Sequence, residues 1–256
     1  LDDIPENLHL FNEEWKTYDC GSISLSGIEI DSTNESTLYN SLVLDNDKYN
    51  IVIMHGQIGQ INLNAMKNKG IDYLALGHVH EYQNGPIDNR GIYCYSGCLE
   101  GRGFDECGAK GFVVLDIDEQ KLTAGFSFIP FAYRNLYTIY VDVTGAMTTQ
   151  DAAAKIEDEL AKNPYSSRSL VKIVLVGEVD VDCEINTDFL KDMFEEYFYY
   201  EKVYDETKLL INYSDYEKDV SLKGEFIRMV LQSDMSEEKK SEVIRCGIMA
   251  LSGEEI

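Results

Sequence analysis

The chain has 256 residues, 44% of them hydrophobic, enough for one large domain or two modest ones with a buried core. Its 46 acidic side chains against 22 basic ones leave a formal charge of −24, which excludes a protein that coats nucleic acid through a general basic surface. Apolar runs are strand-sized, so no membrane span is expected, and six cysteines without a C-x-x-C pair exclude a disulfide scaffold and fit a reducing cytoplasm.

The chain opens at Leu1 with no leader pattern, and the expectation is that it begins inside a longer gene product. Residues 8–11 and 22–28 cluster or alternate apolar side chains between acidic and glycine-containing turns, and read as strands. Residues 31–40 are polar, a loop opening into a short helix. Residues 49–54 and 73–76 are continuous apolar runs, which suit strands covered on both faces. Between them the pattern over 61–69 predicts a helix that Gly70 ends in the left-handed conformation, so that strand, helix and strand make a parallel β-α-β unit. Residues 91–95 and 111–118 read as two more strands on either side of a glycine-rich loop at 96–108.

After Pro130 the character changes. Residues 136–143 predict a strand, 151–162 a helix opening at Thr148 or Thr149 with Ala153, Ile156 and Leu160 on one face, and 170–176 a second strand. A helix over 186–198, capped by Asn186 or Thr187, carries Leu190, Phe194 and Tyr197 on one side, and a strand near 202–205 completes a small β-α-β-α-β domain. Two amphipathic helices follow, at 220–232 with Ser221 as cap and at 237–251. The expected division is 1–130, 131–210 and 211–256.

Three of the four histidines fall at strand ends. His55 follows the apolar run 51–54, and His78 and His80 sit in Gly77-His78-Val79-His80 directly after the run 73–76. Residues just past the carboxyl ends of adjacent parallel strands converge on one crevice, and Gly77 relaxes the backbone so that both later rings can turn inward. Neutral imidazoles meeting there predict a site for zinc, manganese or iron; the alternative is that each is a polar loop residue satisfied by water or backbone. His9 reads as such a residue. Cys94, Cys98 and Cys107 lie near the histidines, but their irregular spacing does not match the usual thiolate zinc sites.

The run Ile51-Val-Ile-Met-His-Gly56, followed by Asp72-Tyr-Leu-Ala-Leu-Gly-His-Val-His80, resembles the last two metal motifs of the calcineurin-like metallophosphoesterases. Its continuation, Tyr93-Cys-Tyr-Ser-Gly-Cys-Leu-Glu-Gly-Arg-Gly-Phe-Asp-Glu106 and Lys110-Gly-Phe, is similar to the SbcD/Mre-type DNA repair exonucleases. The likeness covers residues 8–130 and centres on 51–112. It implies an α/β fold: part of an αββα metallophosphoesterase sandwich, followed by a small α+β capping domain and C-terminal helices.

It also implies a cytoplasmic hydrolase in which two metal ions, usually Mn2+, lie roughly 3.5–4 Å apart, polarise the phosphate and activate a bridging water. Carried over residue by residue, His55, His78 and His80 are metal ligands. Arg102 is placed to contact the substrate phosphate, the alternative being a solvated arginine. Asp105 and Glu106 are candidates to hydrogen-bond a ligand histidine. The partners implied are DNA and an SbcC/Rad-type ATPase near the C-terminal helices, with a homodimer as a further possibility.

The family's Asp-x-His, Gly-Asp and Gly-Asn-His-Asp motifs do not occur in this sequence. The expectation is therefore a fragment that is inactive alone and holds one metal ion or none. Alternatives, both favoured by the acidic charge, are a metallophosphoesterase acting on nucleotides or phosphoproteins and a non-catalytic interaction module whose metal site has decayed.

Overall fold

The computed structural model describes residues 5–210, 216 and 219–252. The chain is a mixed α/β protein that divides into two compact units, Leu1–Asn135 and Leu136–Ile256.

The first unit is built on a six-stranded sheet of order β1-β2-β3-β4-β6-β5. Its strands are β1 (Lys16–Cys20), β2 (Ile23–Gly27), β3 (Tyr49–His55), β4 (Tyr73–Gly77), β5 (Gln83–Pro86) and β6 (Ile92–Tyr95). The inner four are parallel, and the edge strands β1 and β5 run antiparallel to their neighbours.

Strand alternation sorts the apolar runs between two cores. Val52, Met54, Leu74, Leu76 and Tyr95 face one cluster, together with Leu38 of α1 (Leu38–Ser41) and Met66 of α2 (Leu63–Met66). Tyr49, Ile51, Tyr73, Ala75 and Cys94 face the other, packed by Val113, Leu115 and Ile117 of the hairpin β7 (Gly111–Asp118)–β8 (Thr123–Pro130). A continuous apolar run is thus a strand with both faces covered.

Three expectations change here. Residues 8–11 form no strand; the His9 and Phe11 rings instead pack on Tyr18 of β1, with ring centroids 4.5 and 5.9 Å away. The helix expected over 61–69 is four residues long, because Asn68 already takes a positive φ of 59° before Gly70 at 81°. The strands β1, β5 and β8 form where the sequence pattern predicts none.

The second unit carries a parallel three-stranded sheet of order β12-β10-β9, from β9 (Leu136–Asp142), β10 (Leu170–Val176) and β12 (Tyr200–Asp205). The crossovers are α3 (Thr149–Leu160) and α4 (Thr187–Phe194). Ala153 and Ile156 of α3 and Leu190 and Phe194 of α4 enter one core with Ile139, Val171, Ile173 and Leu175, so both helices cover the same sheet face.

A short parallel pair, β11 (Glu178–Asp180) and β13 (Lys208–Leu210), lies in the same unit as α5 (Leu222–Leu231) and α6 (Glu237–Ser252). Val181, Ile227, Val230 and Ile244 form their core. The helical segment expected from residue 211 begins outside the described residues, which omit 211–215, 217–218 and 253–256. Among the described residues no helix is long and apolar enough to cross a membrane.

Candidate functional site

The parallel register pairs His55, the last residue of β3, with Gly77, the last of β4, so His55 and His78 leave the sheet at the same edge. Their rings meet edge to face with centroids 5.5 Å apart. The close approach needs Gly77: a Cβ there would lie 2.7 Å from His55 Nδ1. His78 has φ +107°, a conformation that costs a non-glycine residue of the order of 1–3 kcal/mol.

Below them, the Tyr95 hydroxyl donates to the Gly56 carbonyl at 2.7 Å and accepts from the Ile58 N–H at 3.0 Å, which fixes the turn after His55. The two imidazoles open on a cavity of about 270 Å³ whose wall also contains Asp31, Glu35, Tyr39 and Gln60. Asp31 holds its carboxyl below the usual range by accepting from the Thr33 hydroxyl and from the backbone N–H groups of Thr33 and Asn34. It is therefore an anion in the wall, facing a cavity that suits a positive charge.

His80 has a different setting and is not in the cavity wall. Its Nδ1 lies 2.6 Å from Glu106 Oε1. Glu106 also accepts from Arg102 twice, from Nη2 at 3.1 Å and from the backbone N–H at 3.0 Å. These bonds, first that to His80 and then those to Arg102, lower the Glu106 carboxyl to about 2. An ionised carboxylate only accepts, so His80 Nδ1 carries the hydrogen of this bond.

Arg102 Nη2 stands 3.5 Å from His80 Nε2 and 3.0 Å from Nδ1, although the arginine side chain is 73% exposed. The His80 carbonyl is held by the buried Lys110, whose Nζ donates at 2.8 Å, and by Cys98 Sγ at 3.5 Å. Of the two acids singled out beside the histidines, Glu106 is the one bonded to a ring.

An i, i+2 pair on an unbroken strand would share a face, and the positive φ at His78 breaks that path. Val79 between the two rings packs into the helix-side core. The structure therefore brings His55 and His78 together and sets His80 among Glu106, Arg102 and Lys110. Asp31, Glu35 and Lys110 were not singled out in the sequence as parts of this edge. They come from a polar loop and from the approach to β7, and only the tertiary fold places them there. Cys94 is buried, Cys107 Sγ bonds the Phe104 carbonyl, and all six cysteines are free thiols.

The sequence matches no model of a known protein family and no curated protein. Among the described residues, no three His, Cys, Asp or Glu side chains converge closely enough to hold a metal ion. Among the described residues the facing donors, two imidazoles, do not make up a binuclear centre, which needs further ligands for two ions.

Proposed function

We propose that this chain is the histidine-bearing part of a metal-dependent phosphodiesterase, an exonuclease of the SbcD/Mre type, and that donors absent from this sequence complete its centre. One observation carries the reading: two imidazoles at the carboxyl ends of neighbouring parallel strands face a single acid-walled cavity. In this reading residues 1–130 contribute to an αββα sandwich, residues 131–210 are a capping domain, and residues 211–256 are a helical segment that can meet an ATPase partner. The substrate is DNA and the native ion Mn2+, with His80 as a further ligand once Arg102 leaves its Nε2 face and meets the phosphate.

The two donors that face each other are too few for a metal pair, so the chain alone is expected to bind one Mn2+ weakly and to hydrolyse nothing. Calorimetric titration with Mn2+ tests the first expectation, with His55→Ala and His78→Ala each weakening binding by at least about 10-fold. Turnover of bis(p-nitrophenyl) phosphate by nuclease-free chain would contradict the second. A non-catalytic module is the second reading, favoured by the engagement of His80 with Glu106 and Arg102. Binding unchanged in both alanine variants would support it over the first.

A further inference from the structure

Both crossover helices of the second unit, α3 and α4, pack on one face of its three-stranded sheet. Val171, Ile173 and Leu175 of β10 point into the helix-packed core, so Lys172 and Val174 belong to the opposite face. The parallel register sets that face out in rows: Tyr140, Val174 and Tyr204 in one, Thr138, Lys172 and Lys202 in the next, with Tyr200 beyond Lys202 on β12. None of the core clusters among the described residues includes Tyr140, Val174, Tyr200 or Tyr204. The tyrosines are 61%, 41% and 44% exposed at 140, 200 and 204, while Val174 between two of them is 1% exposed. Aromatic rings therefore stand up around a closed apolar floor.

The charge on this face runs against that of the whole chain. Lys172 and Lys202 are directly paired across β10 and β12, and hydrogen bonds with the Tyr200 and Tyr204 hydroxyls favour the charged form of Lys202. Lys202 Nζ also lies 5.8 Å from the centre of the Tyr200 ring. Asp142 closes the far end, its carboxylate already accepting from the Thr144 N–H at 2.9 Å. Two adjacent cations without an acid in their row, in a chain of charge −24, make a local spot that suits an anion. Tyr140 and Tyr204 stand two strand spacings apart, about 10 Å, which suits separate flat groups rather than one clamped between them.

We propose that this face binds single-stranded nucleic acid: Tyr140, Tyr200 and Tyr204 stack unpaired bases, and Lys172 and Lys202 hold the phosphates that link them. Duplex is disfavoured because its base faces are already stacked. The inference stands on this sheet face and not on the imidazole cavity. If the chain does belong to an exonuclease, the platform would hold the frayed strand.

The test is fluorescence anisotropy with the full chain in EDTA, using fluorescein-labelled oligothymidylate of about 12 nucleotides. The controls are an abasic strand of the same length and the corresponding duplex. Oligothymidylate is expected to bind at least about 10-fold more tightly than either. Tyr140→Ala and Tyr204→Ala should each weaken binding about 10-fold while Tyr204→Phe keeps it, and Lys172→Gln should flatten the logarithmic salt dependence by about 0.7. Circular dichroism confirms that each variant is folded. Absence of binding, equal affinity for the abasic strand, or unchanged affinity in folded alanine variants would overturn the proposal.

Discussion

The Glu106 carboxylate accepts from His80 Nδ1 and twice from Arg102, and with that it sets the tautomer of His80. The same bonds give the loop a definite pH dependence. Glu106 has a folded pKa of about 2, below the ordinary glutamate value of ~4.3. A depressed acid of this kind contributes stability that is complete above the unfolded value and disappears as pH falls through the folded one. The anchoring of His80 is therefore expected to persist at neutral pH and to fade as pH falls from about 4 toward 2. Glu106→Gln removes the charge and keeps the shape. Nitrogen-15 shifts of the His80 ring should report the Nδ1–H form in the native chain and a mixture of tautomers in the variant. An unchanged ring spectrum would mean that Glu106 does not set the tautomer.

At the scale of elements, α3 shows how a local signal fixes a boundary. Thr148 accepts from the Asp151 N–H while Asp151 accepts from the Thr148 N–H, a reciprocal cap satisfying two donors that the helix leaves unpaired. Thr148→Ala is expected to cost about 1 kcal/mol in urea unfolding of the second unit, and a loss below a few tenths would show the cap to be idle. Caps of this kind, and the long runs that became β3, β4, β9 and β10, are legible in sequence because each carries its own pattern. The edge strands β1 and β5, Lys-Thr-Tyr-Asp-Cys and Gln-Asn-Gly-Pro, carry none; a neighbouring ladder recruits them. In β8, Gly125 and the closing Pro130 mask the alternation of Phe126 and Phe128. The short α2 reflects Asn64 and Asn68, poor helix formers that the apolar spacing over 61–69 conceals. The placing of His55 and His78 could be read from strand ends. That of His80 could not, because it depends on φ at His78 and on Glu106, 26 residues away in sequence.

For the whole molecule, a charge of −24 keeps polyanions at a distance, so binding of an anion has to come from local arrangements. The paired lysines on the second unit's sheet face are such an arrangement, while the paired imidazoles open on an acid-walled cavity that suits a cation. The acids raise the concentration of divalent cations around the molecule, and on the function proposed above such a cation stops at the imidazole pair. Paramagnetic broadening by Mn2+, followed on the imidazole carbon-bound protons, tests this most directly because it detects even weak occupancy. Signals of His55 and His78 should broaden at Mn2+ levels that leave His9 sharp, and His55→Ala should protect His78. Equal broadening of all four histidines, or of none, would contradict the account.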